Sequence, residues 1–155
     1  MVPMSVEEIA KAVDGRLIGD ADSESRATNT VSDSRQAGPG SVFVAIRGER
    51  VDGHDFVAKT AERGATVAIV DHEVESDGLP QIVVKDTVDA LGELARHNIV
   101  RRRELDGDFD IIGLTGSVGK TTTKDLLSSL LATVGPTVAP VGSFNNEIGL
   151  PLTAL

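Results

Sequence analysis

Cysteine, tryptophan and tyrosine are absent from this chain of 155 residues, and its 4 phenylalanines make up the whole aromatic content of 3%. Without cysteine there is neither a disulfide framework nor a thiolate zinc site, which suits a reducing, cytoplasmic setting. With so few aromatics, the core must come from Val, Ile, Leu and Ala within the 40% hydrophobic fraction. That favours a helix-covered sheet over an aromatic-rich sandwich. No apolar run approaches the ~18 residues of a membrane helix. The start, Met1 to Glu8, lacks a basic region followed by an apolar core, so no signal peptide is expected. Positive charge is also scarce. A net charge of −9 disfavours any broad nucleic-acid-binding surface. Any phosphate must therefore be bound locally, by backbone groups and single cations.

What is present alternates between helix and strand patterns. Ser5-Val6-Glu7-Glu8 is a capping box, followed by Val6, Ile9, Ala10 and Val13 at helical spacing and a stop at Gly15. Arg16 to Ile18 reads as a short strand, and Thr28 to Ser32 as another that runs into Asp33-Ser34-Arg35. Gly38-Pro39-Gly40 is a turn. Ser41 to Ile46 carries the clearest strand pattern of the first half. A loop from Arg47 to Gly53 leads to a helix from His54 or Asp55 to Arg63, stopped by Gly64. Strands follow at Thr66–Val70 and Gln81–Val84. Asp86 caps a longer helix with Val88, Leu91, Leu94, Ala95 and Ile99 on one face. Arg101, Arg102 and Arg103 at its end read as a solvated last turn that complements the helix dipole. These patterns divide the chain into an α/β unit at 1–85, a connecting helix and linker at 86–108, and a second unit from 109 to 155.

The second unit carries the chemistry. Ile111 to Leu114 reads as a buried strand, and a glycine-bearing turn leads from it into Lys120-Thr121-Thr122-Thr123. An amphipathic run follows, with Leu126, Leu127, Leu130 and Leu131. Strand, glycine loop, Lys-Thr and helix form the P-loop plan. Glycines let backbone N–H groups turn toward phosphate oxygens, and the helix N-terminus adds free N–H groups and a partial positive charge. Cofactor-binding residues are accordingly expected at Gly116, Ser117, Val118, Gly119, Lys120, Thr121 and Thr122. Lys120 would reach the β- and γ-phosphates of ATP, and the Thr121 hydroxyl would hold Mg²⁺. A lysine at a helix start could also be a plain surface residue, but a cation there is unfavourable without an anion. The usual first glycine of the motif is here Leu114, leaving the shorter Gly-x-x-Gly-Lys-Thr-Thr. Thr137 to Ala139 reads as a second parallel strand, 141–151 as a loop and Leu150–Leu155 as the opening of another helix. Little sequence then remains to build a parallel sheet, so this unit is expected to be incomplete within the chain.

The stretch Thr115 to Thr122 resembles the phosphate loop of the Mur ligases, the ATP-dependent amide-forming enzymes of peptidoglycan synthesis. Asp33-Ser34-Arg35, Gly38 to Ile46, Gly48 and Asp52 to Phe56 are similar to that family's uridine-nucleotide-binding N-terminal domain. Gly142 to Leu152 resembles the member that adds D-alanyl-D-alanine to UDP-N-acetylmuramoyl-tripeptide. The resemblance implies a small N-terminal α/β uridine-nucleotide-binding domain followed by a truncated P-loop ATPase-type parallel-sheet domain. It implies Ser34, Arg35, Glu49, Arg50 and Val51 near the uridine nucleotide, and Asn145, Asn146 and Glu147 near the muramoyl-peptide end. It implies Lys120 as the catalytic cation, ATP and Mg²⁺ as cofactors, an acyl phosphate on the path, and a monomer at full length. Residues 1–155 alone are expected to form no amide. Two other readings stay open on the residues themselves. One is a nucleotide-binding module without chemistry. The other is a different ligase or P-loop enzyme, such as the tripeptide-forming member, a kinase or a folate-polyglutamate ligase relative.

Overall fold

A computed structural model of the chain describes residues 1–106, 109–142, 144 and 146–155. Its centre is a five-stranded sheet of β1 (Arg16–Ile18), β2 (Asn29–Val31), β3 (Ser41–Val44), β4 (Val67–Val70) and β5 (Gln81–Val83). Their spatial order is β1-β5-β4-β3-β2. β2 to β5 are mutually parallel, and β1 alone runs antiparallel, against β5. A crossover helix between β3 and β4 covers one face, and helices before β1 and after β5 cover the other, so both sides of the strands are buried. That is why Ser41–Val44 and Val67–Val70 read as unbroken runs, and every residue in both is buried.

Period-2 geometry splits each run between two cores. Val42, Val44, Val67, Ile69 and Ile82 face α1 (Val6–Ala12) and α3 (Thr87–Asp106), packing with Ile9, Leu91 and Leu94. Phe43, Ala45, Ala68 and Val70 face the other way, toward Val57 of α2 (Val57–Glu62). The helix expected from residue 54 begins as a 3₁₀ turn at Gly53–Phe56 and becomes α-helical only at Val57. Gly64 follows its last turn at φ 85°, the left-handed stop expected of it.

Two expectations at the helices change. Ser5 Oγ accepts the Glu8 N–H at 3.2 Å, forming half of the capping box. The Glu8 carboxylate instead reaches α3, bonding His97 Nε2 at 3.2 Å and pairing with Arg101. Arg101 is therefore an inter-helix tie rather than a solvated end. Asn98, buried on the same helix, accepts the Val2 N–H at 2.7 Å and donates to Ala154 O at 2.7 Å, joining the chain start to α5 (Gly149–Ala154).

The strands expected at 111–114 and 137–139 do not form. Ile111 and Ile112 are 57% and 53% exposed, and neither segment joins a ladder among the described residues. Apolar content favours burial, but a strand exists only through backbone pairing with a neighbour. These segments instead lie beside α4 (Lys120–Leu131), around a cavity of about 420 Å³ lined in part by Ile112, Leu127, Leu131 and Val138. Leu126 and Leu130 on the same helix are 68% and 64% exposed.

Truncating Leu94, fully buried between α3 and the sheet, leaves a cavity that only partly collapses. Leu94→Ala should lower unfolding free energy by about 2–5 kcal/mol, read as a shifted urea midpoint with an unchanged slope.

Candidate active site

The first half of the site is local in sequence. Gly119 precedes α4 at φ 79°, ψ −3°, and Gly116 sits at φ 150°; an L side chain at either would be strained. The Thr123 N–H bonds Gly119 O at 2.9 Å. The earlier N–H groups, of Lys120, Thr121 and Thr122, have no carbonyl a turn behind them within the helix. A glycine in the capping position offers no side-chain oxygen to cover them. Lys120 folds back so that Nζ donates to Gly116 O at 2.6 Å, which places its ammonium over the loop. Ser117 and Val118 are exposed and Thr121 is half-buried. Open N–H groups, the positive end of a 12-residue helix and one ammonium make a cradle for a polyphosphate. The donor set fits the phosphates of a nucleotide, and the Thr121 hydroxyl lies in the first turn of α4 beside them.

The second half is assembled by the sheet. Residues 33–36 follow β2, 45–52 follow β3 and 71–72 follow β4. Because these strands are parallel neighbours, their following loops leave from one edge, the carboxyl edge where ligands of such sheets bind. Ser34, Arg35, Glu49, Arg50 and Val51 therefore all belong to this edge. Ser34 opens a 3₁₀ turn, Ser34–Gln36, that Asp33 caps by accepting the Arg35 N–H at 2.9 Å. The Arg35 guanidinium turns back on the same carboxylate, Nη2 to Oδ2 at 2.7 Å. That guanidinium, and then the capping N–H, lower the Asp33 pKa to about 2. Arg35 is thus engaged within its own turn, while Glu49, Arg50 and Val51 are exposed.

The residues expected at the peptide end divide. Asn145 lies outside the described residues. Asn146 Oδ1 accepts the Gly149 N–H at 2.8 Å, so its side chain supports the start of α5. Glu147 is exposed and shares a cavity with Val88, Asp89, Gly92 and Glu93 of α3.

One residue of the carboxyl edge, within the Asp52–Phe56 stretch, was not among the expected site residues. His54 is 5% exposed. Its Nδ1 lies 2.6 Å from Asp52 Oδ1, and its Nε2 accepts the Asp71 N–H at 3.0 Å. Accepting that N–H requires Nε2 to be unprotonated, so the proton sits on Nδ1 and is donated to Asp52. The His54 backbone N–H, and then its ring, depress the Asp52 pKa to about 2. His72 bonds Asp71 and stacks on the His54 ring, with centroids 4.7 Å apart. His54, Asp71 and His72 offer ligand atoms within 4.8 Å of one another. Both His54 nitrogens are already spent on hydrogen bonds, so the trio is a bonded cluster rather than an open ligand set. The available signal was Asp52-Gly53-His54: a capping acid, a residue with no Cβ, and a ring two positions from the acid. A Cβ on Gly53 would lie 2.6 Å from Ile46 N.

Residues 27–99 match the catalytic domain of the Mur ligase family, and residues 114–155 match the Mur ligase middle domain. The UDP-N-acetylmuramoyl-tripeptide–D-alanyl-D-alanine ligase of Mycobacterium tuberculosis is 38% identical over 178 residues, covering 100% of this chain and 34% of that protein. A crystal structure of MurF from Acinetobacter baumannii superposes with a TM-score of 0.84 at 37% identity, over 98% of this chain and 32% of that one. The MurF ligase of Thermotoga maritima, solved in complex with ADP, gives a TM-score of 0.70 at 36% identity over 83% of this chain and 29% of that one. The chain thus spans about a third of the length of the relatives it matches. With both domain matches in order along it, this chain belongs to the Mur ligase family.

Proposed function

We propose that this chain supplies the uridine-nucleotide and ATP-phosphate recognition of an ATP-dependent peptide ligase, one that joins D-alanyl-D-alanine to UDP-N-acetylmuramoyl-tripeptide. The observation that carries the reading is the loop from Gly116 to Thr122, with a left-handed glycine at the N-terminus of α4 and Lys120 folded over it. Ligases of that name are 36–38% identical over matches that cover the whole chain. In this reading residues 1–85 bind the UDP end, 86–108 connect, and 109–155 open the ATP-binding part.

The reaction needs no side-chain nucleophile. The tripeptide carboxylate attacks the γ-phosphorus of ATP and ADP leaves. The amine of D-alanyl-D-alanine then attacks the acyl phosphate, phosphate leaves, and the amide is closed. Such phosphoryl transfer depends on positioning and charge neutralisation. The backbone N–H groups around Gly119 bind phosphate oxygens, and the Lys120 ammonium faces the charge that builds on them. The Thr121 hydroxyl would hold Mg²⁺, which when bound neutralises phosphate charge. Ser34, Arg35 and the loop 49–51 hold the uridine nucleotide, orienting the far end of the substrate. Asn145, Asn146 and Glu147 belong near the peptide end, with Asn146 acting through the backbone it caps.

Calorimetry with UDP, UDP-N-acetylmuramoyl-tripeptide and Mg·ATP tests this reading. Lys120→Ala removes one charge-assisted contact and should weaken ATP binding about 10- to 100-fold, leaving uridine-nucleotide affinity unchanged. Ser34→Ala should do the reverse, with a loss of about 3- to 10-fold for one neutral hydrogen bond. A folded wild-type chain that binds neither ligand would sink the reading. Equal loss of both ligands in both variants would sink the division between the two halves.

A further inference from the structure

The loop of residues 45–52 leaves the carboxyl edge of the sheet after β3, and its tip makes few contacts of its own. Among the described residues, Glu49 and Arg50 have no hydrogen-bond or ion-pair partner. The order of the loop must come from its base. There the Gly48 N–H bonds Val51 O at 2.9 Å and the Gly53 N–H bonds Ile46 O at 3.0 Å. Arg47 Nε donates to Asp52 Oδ2 at 3.0 Å and reaches Asp71 at 3.3 Å. Each of these lies within the loop or rests on the exposed Arg47 side chain. A further tie is the His54 ring. Like Arg47 it bonds both Asp52, at the end of the loop, and Asp71, just after β4, but it does so from a buried position.

We propose that His54 is a positioning residue for uridine-nucleotide recognition, its neutral imidazole pinning the 47–52 loop to the end of β4 so that Glu49, Arg50 and Val51 keep one arrangement. The proposal rests on the nucleotide reading above and adds to it the element that pre-organises that site. The chemistry singles out histidine. The ring must donate at one nitrogen to a carboxylate and accept at the other from a backbone N–H, and a neutral imidazole does both from a rigid plane. Apolar residues of similar volume do neither. Gly53 makes the approach possible, since any Cβ there meets the Ile46 backbone at 2.6–2.8 Å. A loop fixed before the ligand arrives loses less freedom on binding, so the benefit appears as affinity.

The test uses three variants and two readouts. His54→Ala removes both bonds. His54→Asn keeps an N–H near the Nδ1 position, and His54→Gln keeps an oxygen near the Nε2 position. Amide hydrogen exchange reports the loop through Gly48, Gly53 and Asp71, and the core through Val44 and Ile69. Calorimetry reports UDP and Mg·ATP affinity. In His54→Ala the loop amides should exchange faster while the core amides hold. UDP affinity should fall about tenfold, as expected for two lost neutral hydrogen bonds, with ATP affinity unchanged. The Asn and Gln variants should recover part of both losses, and they carry the test if the Ala variant does not fold. Unchanged loop exchange in all folded variants overturns the proposal, as does faster loop exchange with UDP affinity intact. Core amides that loosen as much as loop amides in every variant would reduce His54 to a structural residue. No UDP binding by the wild-type chain overturns the nucleotide reading and this proposal together. Wild-type binding that survives all substitutions overturns this proposal alone.

Discussion

The constraint on which the structure depends is the parallel pairing of β2, β3, β4 and β5. Parallel neighbours cannot be joined by tight hairpins, so α2 crosses one face between β3 and β4. α1, before β1, and α3, after β5, cover the other face, which gives the all-buried runs in β3 and β4 and the two separate cores of small aliphatic residues. The same rule sends the loops after β2, β3 and β4 out of a single edge. Ser34, Glu49, Asp52 and Asp71 are far apart in sequence and share that edge only because the strands before them run the same way. The sheet-edge half of the candidate site is thus a consequence of topology before it is a matter of side chains.

The phosphate half is built by opposite means. Everything from Gly116 to Thr122 is contiguous, and its chemistry comes from two glycine conformations and the first turn of α4. It needs no sheet ladder to present its N–H groups, which is why it takes shape although residues 111–114 are unpaired. The exposed apolar side chains of Ile111, Ile112, Leu126 and Leu130 show that packing around this loop is not completed by the described residues.

This difference decides what was legible in the sequence. Ser41–Val44 and Val67–Val70 announced themselves by unbroken apolar runs, α1 and α3 by 3.6-residue spacing, and Gly64 by its place after a helix. The glycine turn leading into α4 was legible because its conformation is local. The runs at 111–114 and 137–139 carried the same apolar signal as β3 and misled, since that signal encodes a wish for burial and not the neighbour that makes a strand. Glu8 likewise announced a capping box, and a tertiary pair with His97 and Arg101 took its carboxylate. Ser34 and the 49–51 loop could be singled out only through family resemblance, because a polar turn looks alike with or without a ligand. His54 was legible only as a helix start within the Asp52–Phe56 stretch, since one of its ring hydrogen bonds is with an N–H just after β4, 17 residues on.

Charge explains the remaining economy of the design. A chain of net charge −9 would repel polyanionic ligands if long-range field governed binding, but screening confines each charge to about 8 Å at physiological salt. What matters is the local balance at each half. At the loop before α4, Lys120 donates to Gly116 O, and no carboxylate is bonded to that lysine among the described residues. At the sheet edge the arginines have different assignments. Arg35 is bound to Asp33, and Arg47 to Asp52 and Asp71, so their charges are largely cancelled and their work is to shape turns. Arg50 stands without an ion-pair partner among the described residues. On the nucleotide reading it is the cation left to meet a diphosphate. It can do so only if the loop that carries it is held still, because an exposed arginine that must first be ordered returns little net binding energy. The acidic residues of this edge are therefore compatible with an anionic ligand. Asp33, Asp52 and Asp71 are the partners that fix the turns from which the free groups act.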